Sequence, residues 1–288
     1  MIPPAFDYHR PSELSAAIAL LAEHGDDARV IAGGHSLIPM MKLRMTSFGH
    51  LVDLQGLGAL KGIEVGSTIR MGAMTTQHEI LTHPGLAEAA PILAEAARQI
   101  ADPQVRYMGT LGGNVVNGDP GNDMPGLMQC LDAAYHLAGP GGERTVAARD
   151  FYEGAYMTAR AEEEILVAVS FARPAGGGAY EKQKRKIGDY ATAAAAVQMA
   201  MEGGRVTAAS VAMTNLADTP IWSAAAGSAL VGTTCEAAAV DAAIAAMLTD
   251  IDPAPDNRGP VEFKRHVAGV ILRRAIARAA ARAQGGSQ

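Results

Sequence analysis

The sequence predicts a mixed α+β protein in two regions. Short β-like runs alternate with helical patterns through the first 174 residues, Ala175-Gly176-Gly177-Gly178 interrupts the chain, and alanine-rich helical patterns close it. A length of 288 residues also exceeds what one ordinary core holds. Residues 1–174 make the first region, as lobes of about 1–55 and 56–174, and residues 175–288 make the second.

In the first lobe, residues 11–24 read as a helix capped by Ser12, with Leu14, Ile18 and Leu21 at helical spacing and Gly25 ending it. A strand at 29–31 runs into Ala32-Gly33-Gly34-His35-Ser36, and 36–44 reads as a short helix after that turn. Residues 51–54 give a further short strand. The second lobe opens with a hairpin, 63–65 and 68–71 about Gly66-Ser67, followed by helices at 77–82 and 88–99. Beyond a second glycine stretch, 124–134 reads as a helix with Asp123 at its start, where a carboxylate caps free N–H groups. Strands at 135–138 and 143–147 flank Gly139-Pro140-Gly141-Gly142, and 165–171 is another. The second region holds an apolar stretch at 191–201, a strand at 206–213 and helices at 235–248 and 260–283.

Composition narrows the function. Hydrophobic content of 49% with a net charge of −6 describes a folded, mildly acidic protein, not a general nucleic-acid binder. Two cysteines, Cys130 and Cys235, exclude a disulfide framework and a four-cysteine iron–sulfur site within the chain. No basic segment followed by an apolar run opens the sequence, and no uncharged apolar stretch spans a bilayer, so the expected location is cytoplasmic.

The chemistry is expected at the two glycine stretches, Ala32-Gly33-Gly34-His35-Ser36 and Met108-Gly109-Thr110-Leu111-Gly112-Gly113-Asn114, the latter running on to Asn117-Gly118-Asp119-Pro120-Gly121-Asn122-Asp123. Glycine permits positive φ and leaves N–H groups uncovered, and successive uncovered N–H groups make a nest for an anion. Alone, each doublet is ordinary turn material. Neither matches G-x-G-x-x-G or a P-loop. Together they supply two nests for one diphosphate, with Thr110, Asn114 and Asn117 as uncharged hydrogen-bonding groups. Asp123 either accepts from ribose hydroxyls or caps the following helix.

Other motifs carry less. His78 and His83 lie five apart, about 140° around a helix, and cannot share a metal from one face. The remaining histidines are scattered, so neither metal ligands nor catalytic residues are expected. Lys182, Lys184, Arg185 and Lys186 read equally as a solvated strand edge or as a positive rim beside a diphosphate, with Tyr190 able to stack on a planar ring. Arg274, Arg278 and Arg282 form a stripe on the last helix, read as a solvated face in preference to a docking surface.

The glycine motifs resemble the FAD-binding medium subunit of molybdenum hydroxylases, and the likeness covers essentially the whole chain. The wordings Asn117-Gly-Asp-Pro-Gly-Asn-Asp-Met-Pro125 and Lys186-Ile-Gly-Asp-Tyr-Ala-Thr192 are similar to the carbon monoxide dehydrogenase branch. The resemblance implies a PCMH-type FAD-binding domain of two α/β lobes, then a small antiparallel sheet with a helical bundle. It implies that Ala32, Gly33, Gly34, His35 and Ser36, with Thr110, Leu111, Gly112, Gly113, Asn114 and Asn117, hold the FAD pyrophosphate side. Asp123 would meet a ribose or ribityl hydroxyl, Leu166 would pack near the adenine, and Tyr190 would cover the isoalloxazine. Lys184, in preference to Lys186, would add a flavin contact. The implied assembly is a dimer of heterotrimers, with a large molybdopterin subunit and a small subunit carrying [2Fe-2S] clusters. Electrons would pass through FAD to a quinone-type acceptor, and the assembly would associate peripherally with the inner membrane. Rival readings are a related hydroxylase acting on an N-heterocycle or aldehyde, a stand-alone flavin oxidase, or a non-catalytic nucleotide-binding module.

Overall fold

The structure is a computed structural model and describes residues 2–285, so 286–288 of the expected second region lie outside the described residues. The first lobe contains β1 (Asp7–His9), α1 (Leu14–His24), β2 (Ala28–Ile31), α2 (Leu37–Lys42) and β3 (His50–Asp53). Its strands pair in parallel, in the order β1-β3-β2. Parallel neighbours need crossovers, and α1 and α2 supply them. Ala17 and Leu21 of α1 are buried with Ala28 and Val52, so one helix face covers the sheet. The expected Ser12 cap is corrected: α1 starts at Leu14 behind Glu13, which makes no side-chain cap.

The second lobe contains β4 (Ile63–Val65), β5 (Thr68–Gly72), α3 (Gln77–Thr82), α4 (Pro84–Ala89), α5 (Pro91–Gln99), α6 (Pro103–Met108), α7 (Leu111–Val116) and α8 (Asp123–Cys130). There follow β6 (Ala134–Gly139), β7 (Gly142–Ala147), the small hairpin β8 (Tyr152–Gly154) and β9 (Met157–Thr158), and β10 (Ile165–Ala172). Five strands form one sheet, β4-β5-β10-β6-β7, antiparallel throughout. The helix expected over 88–99 is two helices. Pro91 opens the second, as Pro84 and Pro103 open theirs, because a first-turn proline gives up an N–H that has no intrahelical partner.

The chain then forms β11 (Gly177–Gln183), β12 (Ala193–Glu202), β13 (Arg205–Thr214), β14 (Ile221–Trp222), α9 (Ala224–Leu230), α10 (Ala237–Asp250) and α11 (Val261–Ala283). The strands form an antiparallel sheet in sequence order. Strand period decides its role. Along β12, Ala193, Ala195, Val197 and Met199 enter the core under α9–α11, while Ala194 and Ala196 enter the core of the second lobe. An alanine strand buried on both faces thus joins the two cores. Among the described residues, no helix is long and apolar enough to cross a membrane.

The arginine stripe on α11 is not a solvated face. Arg278 pairs with Glu181 and, at 2.9 Å, with Glu95, while Arg282 donates to Glu95 and to the Gly178 carbonyl, both at 2.5 Å. Glu95 also accepts the Tyr180 N–H at 3.0 Å. Only Arg274 of the three remains exposed. The clamp ties α11 and β11 to α5. Glu95→Ala removes an acceptor from two guanidinium groups and a buried N–H, and should cost about 2–3 kcal/mol of stability. Arg273→Ala breaks a surface pair with Asp241 and should change stability by less than about 1 kcal/mol. Urea unfolding midpoints of the two variants check this contrast.

Candidate functional site

Residues 33–36 turn the chain from the carboxyl end of β2 into α2, the end of a parallel sheet where α/β proteins place ligands. Gly34 takes a φ of +74°. Among the described residues, no hydrogen bond takes up the N–H of Gly33, Gly34, His35 or Ser36. The Ser36 side chain makes no cap bond either. His35 and Ser36 are exposed. Consecutive unpaired N–H groups on an exposed turn are donors available to an anion.

The second stretch differs from its expectation as a matching nest. Residues 111–116 are helical, and the Gly113 N–H donates to the Thr110 hydroxyl at 3.0 Å. The Leu111 N–H donates to the Thr75 carbonyl and the Gly112 N–H to the Ala73 carbonyl, each at 2.8 Å. Asn114 N–H donates to the Thr110 carbonyl at 3.1 Å. The donors of Leu111 to Asn114 are consumed because the start of α7 docks on the 73–75 backbone and is capped by Thr110. The contribution of the stretch is shape.

Each glycine permits a different approach. A Cβ on Gly33 would lie 2.3 Å from the Met108 carbonyl oxygen and 2.9 Å from Gly109 Cα, so the bare residue lets the two stretches touch. A Cβ on buried Gly112 would lie 2.7 Å from Ala73 Cβ. Gly113 is exposed, and its added Cβ would meet only Thr110 Oγ1 at 3.0 Å and Ala32 Cβ at 3.8 Å. It faces the first stretch. Asn114 braces the turn, its Oδ1 accepting the Met124 N–H at 3.2 Å and its carbonyl accepting Asn122 Nδ2 at 2.8 Å. Asn117 closes α7, and its side chain has no partner among the described residues. Leu111 and Leu166 are core residues, sharing one apolar cluster with Val115.

Asp123 is the first residue of α8, behind Asn122, and does not cap it. Its carboxylate, 4% exposed, accepts the Tyr180 hydroxyl at 2.5 Å and Lys182 Nζ at 2.8 Å. Burial, then the Asp123 charge, holds the Tyr180 hydroxyl well above the usual phenol range. The Lys182 side chain is 1% exposed, which corrects its reading as part of a solvated edge. Both carboxylate oxygens are engaged, although a carboxylate has about four acceptor sites and each oxygen can accept again.

Beyond β11, Lys184 is half-buried and Lys186 exposed. Burial first, then the charges of Lys182 and Arg106, lowers the Lys184 pKa, and no acceptor among the described residues takes its Nζ. A desolvated ammonium near two other cations is a place where an anion gains most. Tyr190 is 42% exposed. A Cβ on Gly121 would lie 2.8 Å from its ring, and the Arg258 guanidinium lies 5.6 Å from the ring centre. Burial, then Asp119, pushes its hydroxyl up to about 12, so it stays neutral near pH 7. Tyr190 therefore meets the second stretch at its glycine-rich tail.

Local patterns gave no sign of Tyr180 or of Gln77. The Gln77 amide is buried with neither side-chain atom partnered, and its N–H donates to the Gly109 carbonyl at 2.9 Å. His78 stacks on Tyr107 with ring centres 3.9 Å apart, whereas His83 caps α4.

The glycine geometry makes a separable prediction. Gly33→Ala must push apart two backbones and should cost about 1–3 kcal/mol. Gly113→Ala adds a methyl to an exposed helical position, where Ala is better than Gly by about 0.5–1 kcal/mol, and should leave stability equal or slightly higher. Thermal unfolding of the two variants distinguishes them.

Residues 4–174 match the family described as the FAD binding domain in molybdopterin dehydrogenase, and residues 178–279 match the CO dehydrogenase flavoprotein C-terminal domain. The carbon monoxide dehydrogenase medium chain of Afipia carboxidovorans is 56% identical, over 99% of this chain and 100% of that protein. The medium chain from Hydrogenophaga pseudoflava is 45% identical, over 98% and 99%. The crystal structure of a cyanide-inactivated Cu,Mo-CO dehydrogenase contains a chain that matches with a TM-score of 0.96 at 56% identity, covering 98% of this chain and 100% of that one. The mixed α+β architecture and the resemblance carried by the glycine motifs are both borne out. The chain belongs to the FAD-binding family of the molybdopterin dehydrogenases.

Proposed function

We propose that the chain is the flavin subunit of a molybdenum enzyme that oxidises carbon monoxide, receiving electrons from iron–sulfur clusters on one partner and delivering them to a quinone-type acceptor. The observation that carries the cofactor's place is the run of unpaired N–H groups at Gly33, Gly34, His35 and Ser36, facing a second stretch whose exposed Gly113 leaves room beside Ala32. The residues present fit FAD. Four N–H donors suit a pyrophosphate, Asn114 and Asn117 flank it with uncharged amides, and Lys184 adds one cation at the rim. Asp123, held in place by Tyr180 and Lys182, keeps acceptor capacity for a hydroxyl. Tyr190 presents a neutral ring to a planar group. Leu166 would act from within the core, as the apolar floor under an adenine.

When bound, FAD supplies an acceptor able to take two electrons and release them separately. The protein's part is to bind, orient and shield it. In this reading residues 1–174 hold the dinucleotide, and residues from 175 onward bring Lys184 and Tyr190 against it. Two cysteines, one of them buried, leave clusters and molybdopterin to a small and a large subunit, assembled as a dimer of heterotrimers. Carbon monoxide as substrate rests on the identity to carbon monoxide dehydrogenase medium chains. A cytoplasmic enzyme touching the inner membrane peripherally would reach a quinone.

Rapid mixing of carbon monoxide with the assembled enzyme tests the division of labour. In Tyr190→Ala, reduction of the molybdenum centre should keep its wild-type rate, while the flavin spectrum shifts and electron delivery to a quinone slows about tenfold, equivalent to about 1.4 kcal/mol. Slowed molybdenum reduction with normal flavin turnover would refute this role for Tyr190.

A further inference from the structure

Three histidines that are distant in sequence meet on the first lobe. His9 ends β1, His24 ends α1 and His50 begins β3. His50 pairs level with Asp7 and with Ala28, at the amino end of β2, whereas the glycine turn follows that strand's carboxyl end. His50 and His24 therefore stand toward the other end of the sheet from the proposed flavin cradle, and His9, level with Val52 two residues further along, reaches back to His50 with its side chain. One ring nitrogen from each histidine lies within 4.8 Å of the others. His9 Nε2 and His50 Nδ1 are 3.0 Å apart, and the His24 and His50 rings stack with centres 3.6 Å apart. An Asp7 carboxylate oxygen lies 3.9 Å from His50 Nδ1. All three histidines are half-buried. Their scatter along the sequence concealed this.

We propose that His9, His24 and His50 form a binding site for a divalent cation of the zinc class, with Asp7 as a nearby carboxylate. Imidazole nitrogens with a carboxylate are the donors such ions select. A tetrahedral centre with metal–nitrogen bonds of about 2.0–2.1 Å sets its ligand nitrogens about 3.3 Å apart. The His9–His50 pair, now joined by a 3.0 Å hydrogen bond, would open by about 0.3 Å to that spacing, and His24 would reach it by tilting out of the stack. Two ligands stand on paired strands, which fixes their backbones before any ion arrives. The third closes an eleven-residue helix, whose C-terminal dipole favours a cation. A bound ion would pin β1, α1 and β3 together at one point.

The test is titration of the metal-free, untagged full chain with Co²⁺, followed by its difference spectrum. One equivalent should saturate a ligand-field band, excess Zn²⁺ should abolish that band, and Zn²⁺ should raise the thermal midpoint reversibly to a chelator. His50→Ala should weaken Co²⁺ at least tenfold. If that variant does not fold, His24→Gln at the helix end decides. Failure of the wild-type chain to bind one equivalent, or unchanged affinity in His24→Gln, would overturn the proposal.

Discussion

A carboxylate buried between two regions of the chain sets the position of everything around the glycine stretches. Burying Asp123 alone would cost several kcal/mol, and the structure offsets this with a buried lysine and a tyrosine hydroxyl from the same strand. Tyr180 and Lys182 alternate on β11, so they share one face, and that face is held against the start of α8. Glu95, Arg278 and Arg282 fasten the strand's other connections to α5 and α11. With β11 fixed, the chain after Gln183 carries Lys184 and Tyr190 to the glycine-rich tail of the second stretch.

Close approach is the second requirement, and small residues provide it at two scales. Alanines along β12 let helices pack on both faces of one sheet, joining the two cores. Gly33 lets the first turn touch the backbone of Met108 and Gly109. The stretches then divide the work. The first presents donors because it leaves its N–H groups unpaired, and the second presents a surface because its own are consumed by the 73–75 backbone and by Thr110. A cofactor held by hydrogen bonds alone needs several donors to fix its orientation, and the unpaired N–H groups of residues 33–36 offer them where a single cation would not.

About half of the strands, and the helices with clear apolar spacing, were legible because their signals are local, whereas the strands at Asp7–His9 and Gly177–Gln183 carry no such signal. The hairpin around Gly66-Ser67 and the helix over residues 77–82 follow from spacing and turn residues alone. The helix at Leu111–Val116 was hidden, although Thr110 as cap and Leu111 and Val115 four apart announce it, because two glycines argue against helix. Lys182, Arg278 and Arg282 looked like surface charge because their partners lie far along the chain. The histidine trio failed the same way. Leu166 carries no local mark of a ligand contact, being one apolar residue in a buried strand, and only the family resemblance singled it out.

The most direct measurement is amide hydrogen exchange resolved to single residues, on the FAD-free chain and after adding FAD. Unpaired, exposed N–H groups exchange fast, and those held in hydrogen bonds exchange slowly. Gly33, Gly34, His35 and Ser36 should exchange rapidly without FAD and become protected with it. Leu111, Gly112 and Gly113 should be protected in both states. Unchanged exchange at residues 33–36 on binding FAD would contradict the cradle, and protection arising only at the second stretch would show that the roles of the two are reversed.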